Sequence, residues 1–479
     1  MSSLLFASFL LLDPIWALEF RYHDNSEIEQ YLVQTSRSNP NITHLYSIGT
    51  SVRGQQLWVL ALGVNPQRHV VGIPEFKYVA NMHGNEVLGR ELLLHLIDHL
   101  VQGYRNEDVS ALQLLRSTRI HILPSMNPDG YDDADTDCQY SQGRFNHNGV
   151  DLNRNFPDVF SDPQSKQKSE DQREAEVRAV MGWLRNETFV LSANLHGGAL
   201  VASYAYDNGN QGKERVHGLH VRQRINHVRC LSKHSPGSMQ MGGASLTPDD
   251  DVFVHLSREY SYSHASMHRG NICQSSRPFP DGITNGYRWY PLAGGMQDYN
   301  YVWAQCLEVT LELSCCKFPP ADQLQALWTD NTVALLAYVR QVHLGVKGVV
   351  YDGSGVAVQN ALVEVKGRKN VCPFRTNSHG EYYRLLLPGN YTFTVTYPGH
   401  EVLTETLSIP YGPDKYSAMT HHFRLRRTSA ITTSYIQTCP TPGYSHAVNL
   451  EGGGATSRPS WIRHAVGIGL AVLGGWVIE

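Results

Sequence analysis

Two short blocks and one alternating segment place metal-binding and acid–base residues at spacings that chemistry can use. His83-Gly84-Asn85-Glu86 sets an imidazole and a carboxylate three residues apart, close enough for both to turn toward one ion. His196-Gly197-Gly198 closes an apolar run at 190–194, and glycines there let backbone approach a crowded site. His83, Glu86 and His196 together make a His₂Glu set that leaves a zinc ion one open position for water. In residues 306–313, Leu307, Val309, Leu311 and Leu313 alternate with Glu308, Thr310 and Glu312, so a strand there carries two glutamates on one face. Burying such a face is costly unless it lines a site; a solvated edge strand is the other reading. His-x-x-Glu alone is a weak signal in a chain with 23 histidines.

The elements that must position these groups read as alternating strands and helices. Residues 57–62, 77–81, 119–124 and 190–194 are short apolar runs with strand character. Residues 87–100 repeat leucines at 88, 92, 93, 96 and 100, the spacing of one helical face, and 174–184 reads as a second helix. The alternation through about residue 340 predicts an α/β domain built on a mixed sheet. From 347 to 425 no helical pattern survives. Turn signals at Asp352-Gly353, 377–380, Pro388-Gly389 and Pro398-Gly399 separate strands such as 361–365 and 391–395, which predicts a small all-β sandwich.

The domain boundaries expected are a catalytic domain at 18–343, the sandwich at 344–427, a Ser/Thr/Gly/Pro-rich linker at 428–457 and a C-terminal signal at 458–479. Residues 210–244 carry a dense run of Lys, Arg and His. A solvated surface loop is the plain reading, and a loop that attracts substrate or a partner is the other.

The two ends of the 479-residue chain point to the secretory route. Residues 4–12 are apolar and Trp16-Ala17 precedes a polar stretch, the pattern of a signal peptide over 1–17. Residues 465–478 are apolar yet shorter than the roughly 20 residues a spanning helix needs. Small residues at 452–457 followed by a short spacer make that tail the signal for a glycolipid (GPI) anchor, hence membrane attachment. Asn41, Asn186 and Asn390 each begin an Asn-x-Ser/Thr acceptor triplet. With a formal net charge of −4, no broad basic field suggests nucleic acid as a partner. The eight cysteines include no Cys-x-x-Cys pair and read as disulfide formers. Adjacent Cys315 and Cys316 reach separate partners, and Cys372 pairs with Cys439 because these two alone lie beyond the first domain.

In order along the chain stand Tyr78-Val79-Ala80-Asn81-Met82-His83-Gly84-Asn85-Glu86, Pro124-Ser125-Met126-Asn127-Pro128-Asp129-Gly130, Gly143-Arg144 leading to Asp151-Leu152-Asn153-Arg154-Asn155-Phe156-Pro157, Leu195-His196-Gly197-Gly198 and Leu311-Glu312-Leu313-Ser314-Cys315. These blocks resemble the metallocarboxypeptidases related to carboxypeptidase A, and more closely their regulatory (N/E) branch, over residues 19 to about 425. The anchor signal points to the membrane-attached kind within that branch.

The resemblance implies a carboxypeptidase-like α/β catalytic domain with a transthyretin-like sandwich. It implies one zinc ion on His83, Glu86 and His196, Glu312 as general base and Arg144 at the oxyanion. Asn153 and Arg154 would receive the substrate's terminal carboxylate, and Tyr290 would close over it. Asp207, helped by Gln297, would receive a cationic side chain. It further implies Cys138–Cys316 and Cys273–Cys315 disulfides, with Cys230 and Cys306 free. The basic stretch at 210–244, with Cys230, departs from the family pattern.

The function expected is therefore zinc-dependent removal of C-terminal Arg or Lys from extracellular peptides and proteins by a monomer. The alternative is a catalytically silent peptide-binding protein on the same scaffold. A zinc deacylase of N-acyl amino acids shares the ligand spacing, but the Asn153-Arg154 block and the all-β domain speak against it.

Overall fold

The computed structural model describes residues 18–139, 142–160, 169–209, 243–273, 278–428 and 439. The signal-peptide, linker and anchor readings, Cys230 and nearly all of the basic stretch lie outside these residues.

Eight strands form one mixed sheet: β1 (Thr43–Thr50), β2 (Gln56–Leu62), β3 (Glu75–Ala80), β4 (Arg119–Leu123), β5 (Phe189–His196), β6 (Ala199–Tyr204), β7 (Ile283–Asn285) and β8 (Leu307–Ser314). Their order is β1-β2-β4-β3-β5-β8-β6-β7. The centre, β4, β3, β5 and β8, runs parallel, and β8 pairs antiparallel with β6. Parallel strands need both faces covered. Period-two alternation supplies this: Phe76, Tyr78 and Ala80 join a core with Leu92, Leu96, Leu256 and Leu335 from three helices. Val79 instead joins Val177, Val180 and Met296. Two helical layers therefore sandwich the sheet.

The polar face of β8 is not a solvated edge, because β8 lies between β5 and β6 and every residue in it is buried. Its side chains fall into rows across the parallel strands. Lys77, Ser192 and Glu308 stand in register, and Glu308 takes hydrogen bonds from Lys77 Nζ (2.8 Å), Ser192 Oγ (2.7 Å) and Asn300 Nδ2 (3.2 Å). At the carboxyl end of the strands the row is His196 and Glu312, where open α/β sheets bind ligands.

Helical and α/β structure gives way to strands at Val346. The second domain comprises β9 (Val346–Tyr351), β10 (Leu362–Val365), β11 (Glu381–Arg384), β12 (Gly389–Thr396), β13 (Leu403–Ile409), β14 (Met419–Thr420) and β15 (Phe423–Arg424). The three strands β10-β12-β13 face β9 with its neighbours across a core of Val350, Val363, Phe393 and Phe423. The mixed α/β domain and following all-β sandwich are thus the architecture expected. Asp249 ties the two together: fully buried, it accepts hydrogen bonds from Arg368 Nη1 (2.9 Å), Arg384 Nη2 (3.0 Å) and Asn370 Nδ2 (3.0 Å) of the sandwich, and from Tyr301 Oη (2.7 Å).

Disulfides join Cys138 to Cys316, Cys273 to Cys315 and Cys372 to Cys439. Cys306 is a buried thiol without a disulfide. Asn41, Asn186 and Asn390 are all exposed. No helix among the described residues is long and apolar enough to cross a membrane.

Candidate active site and metal centre

β3 ends at Ala80 and the helix Leu88–Arg105 begins eight residues later, so His83 and Glu86 sit in the tight connection between them. His196 is the last residue of β5, the adjacent strand. Nδ1 of His83 and Nδ1 of His196 lie 3.0 and 2.7 Å from the same oxygen, Glu86 Oε2. One donor atom from each residue lies within 4.8 Å of the others, and all three side chains are buried. Nε2 of His83 meets Asp151 Oδ1 at 3.0 Å, the outer carboxylate that fixes the orientation of a metal-binding imidazole. Burial holds the His196 pKa below its usual value, which favours the neutral ring a metal requires. Burial would raise Glu86, but the facing histidines hold it well below the usual carboxylate range. Two neutral-capable nitrogens and one ionised oxygen converging on one point are a donor set that fits zinc.

Glu312 lies in register with His196 on the next strand and borders the same cleft. Its Oε2 is buried and has no hydrogen-bond partner among the described residues. Burial first, then the Glu86 charge, raises its pKa well above the usual range, so it holds protons more readily than an ordinary glutamate. Arg144 bonds Asp151 Oδ2 through Nη2 (2.8 Å) and lies 3.5 Å from Glu86 Oε1 through Nη1. Lys317 Nζ bonds Glu86 Oε1 and the Gly197 carbonyl.

The same cleft is lined by Asp207, which is 4% exposed. Its Oδ1 accepts a hydrogen bond from Gln297 Nε2 (3.1 Å), while Gln297 Oε1 takes Thr310 N–H (2.9 Å) and Oγ1 (2.6 Å). Asp298 holds the backbone N–H groups of Asp207 and Asn208 at 2.9–3.1 Å. Burial drives the Asp207 carboxyl up to about 7 against the pull of the Arg154 charge. Gly286 packs against it so closely that only glycine fits.

Arg154, which also lines the cleft, is exposed and its Nη1 bonds the Asn153 carbonyl (2.9 Å). Asn153 Oδ1 accepts from Met296 N–H at 2.9 Å. Gly294, at φ +77°, lets the backbone pass Arg154, where a β-carbon would come within 2.7 Å of its carbonyl oxygen. Tyr290 is 43% exposed at the rim.

All but one of the expected metal, acid–base and substrate residues thus border one cleft: His83, Glu86, His196, Glu312, Arg144, Asn153, Arg154, Tyr290 and Asp207 line it, and Gln297 stands behind Asp207. The model of the zinc carboxypeptidase family matches residues 28–334, and that of the carboxypeptidase regulatory-like domain matches 345–420. The chain belongs to the zinc carboxypeptidase family. It is 53% identical to carboxypeptidase M of Mus musculus over 417 residues, 87% of each chain. It is 42% identical to the carboxypeptidase N catalytic chain of Homo sapiens over 432 residues, 87% of this chain and 88% of that one. As a zinc carboxypeptidase it takes Zn²⁺ as cofactor.

Three residues of this zinc carboxypeptidase site were not singled out from sequence: Asp151, Asp298 and Lys317. Asp151 lies two residues before Asn153 and Asp298 directly follows Gln297, so proximity to chosen residues was a signal. Lys317, just past a disulfide cysteine, offered none.

Proposed function

We propose that this chain hydrolyses C-terminal Arg or Lys from extracellular peptides and proteins, and is held at the cell surface by a glycolipid anchor. The observation that carries the specificity is the enclosed Asp207 carboxylate in the cleft that also holds His83, Glu86 and His196. A buried carboxylate gains most from a cationic partner that replaces its lost hydration.

Each role follows from position. His83, Glu86 and His196 would hold zinc, which lowers the pKa of bound water and polarises a carbonyl. Glu312 takes the proton of the attacking water and passes it to the leaving amine; its raised pKa suits it to carry that proton. Arg144 sits beside the metal ligands where negative charge grows on the carbonyl oxygen. The exposed Arg154 guanidinium, with Asn153, pairs with the substrate's terminal carboxylate, which restricts cleavage to the last peptide bond. Tyr290 at the rim covers the bound residue. The anchored, extracellular setting is supported by the sequence pattern at both ends, by exposed acceptor asparagines and by the likeness to carboxypeptidase M.

The test is turnover of benzoyl-Gly-Arg, benzoyl-Gly-Lys and benzoyl-Gly-Phe by zinc-loaded protein, with and without a chelator. Chelator-sensitive release of Arg and Lys, and little of Phe, is expected. Equal turnover of all three would remove the Asp207 assignment, and no turnover by folded, zinc-loaded protein would favour a silent peptide-binding role.

A further inference from the structure

Outside the cleft, a second pair of histidines and a glutamate converge at the border between the two domains. His69 comes from the loop between β2 and β3, whereas His379 and Glu381 come from the turn that opens β11 in the sandwich. One donor atom from each lies within 4.8 Å of the others. The rings of His69 and His379 are 5.1 Å apart, and His69 Nε2 meets Glu381 Oε2 at 2.5 Å.

The surroundings are arranged as an outer shell. Glu75 Oε1 lies 2.7 Å from His69 Nδ1, so a carboxylate directs the other ring nitrogen toward Glu381, the arrangement that orients metal-binding histidines. Glu381, with its side chain 2% exposed, is fixed by Gly72 N–H (2.6 Å), Tyr383 Oη (3.0 Å) and Asn377 Nδ2 (2.9 Å). Asn377 Oδ1 also receives the backbone N–H groups of His379 (2.9 Å) and Glu381 (3.0 Å), which locks the turn bearing both. A neighbouring cluster, Glu75, His121 and Glu187, has comparable donors, but Arg119 Nη1 already bonds both carboxylates at 2.9 and 2.8 Å and fills the role of cation there.

We propose that His69, His379 and Glu381 form a second zinc site that straps the sandwich to the catalytic domain. Two imidazole nitrogens and one carboxylate oxygen are a zinc donor set with a fourth place for water. Bonds of about 2.0–2.1 Å in a tetrahedron put ligand atoms about 3.3 Å apart. The His69–Glu381 contact therefore opens by less than about 1 Å, and the exposed His379 ring swings inward on its turn.

The experiment uses full-length protein with the catalytic zinc in place. Added zinc chloride is followed by metal counting after gel filtration and by the thermal unfolding midpoint. Wild type is expected to take up a second zinc ion per chain and to unfold at a higher temperature, because a ligand bound only by the folded state stabilises it. His379→Ala changes an exposed side chain remote from the cleft; it should lose the second ion and the thermal shift while keeping the first ion and unaltered turnover of benzoyl-Gly-Arg. His69→Gln should lose the second ion as well. Uptake of only one zinc by wild type, or a second ion retained by His379→Ala, would overturn the assignment.

Discussion

A β-carbon placed on Gly286 would lie 1.8 Å from Oδ1 of Asp207, so the carboxylate keeps its place only because residue 286 has no side chain. Gly286→Ala must therefore displace Asp207 without touching His83, Glu86 or His196. Removing one partner of a buried charge pair costs about 2–5 kcal/mol, so kcat/KM for benzoyl-Gly-Arg should fall at least ~30-fold. Zinc content should stay unchanged. An Arg-to-Phe selectivity ratio equal to wild type would count against Asp207 as the specificity residue.

Asp207 also sets a pH dependence. Burial raises its carboxyl to about 7, so it is protonated and neutral below that value and anionic above it. A cationic substrate needs the anion. The Arg-to-Phe ratio of kcat/KM should therefore rise from pH 6 to pH 8 with a midpoint near 7, because kcat/KM reports the free enzyme. Taking the ratio cancels titrations that both substrates share, and a flat ratio over this range would contradict the assignment.

Glu312→Gln keeps the shape of the side chain and removes its capacity to accept a proton. With general-base catalysis contributing about 10²–10⁴-fold, kcat should fall by that order. Zinc content and binding of the product arginine should persist. Activity within about threefold of wild type would move the base role elsewhere.

The buried Lys77–Glu308 pair makes a stability prediction. Both side chains are fully buried, so Lys77→Met leaves a stranded carboxylate and should destabilise the fold by about 3–5 kcal/mol. Adding Glu308→Leu removes the stranded charge and should recover most of that loss. Denaturant unfolding of the single and double variants decides it; additive losses would show that the pair is not the cause.

The layout of the molecule was legible where a pattern is local. Alternation in residues 306–313 identified a strand with one polar face, whereas the spacing of His83 and Glu86 was a weak signal that pointed to a metal pair only together with the other family-like blocks. Sequence could not show that the polar face divides: Glu308 is consumed by Lys77, Thr310 bonds Gln297 at the cleft wall, and of the two glutamates only Glu312 borders the cleft. That division depends on register with β3 and β5, a relation between segments more than 100 residues apart. Gln297, expected to help Asp207, bonds its Oδ1 directly, a contact 90 residues apart in the chain that no local pattern shows. Lys317 and the His69–Glu381 contact arise from contacts 231 and 312 residues apart in the chain, beyond the reach of any local pattern.

Asp249 gives the domain border its meaning. Its carboxylate, the residue before the helix Asp250–Ser263, meets cations only from Arg368 and Arg384 among its described partners, and its other oxygen holds Tyr301 on the helix that carries Gln297 and Asp298. A chain cut just before β9 would keep the anion and discard its counter-ions, beneath the very helix that shapes the selectivity pocket. The C-terminal module is thus no detachable accessory: the hydrolase is electrically complete only when both halves are made together.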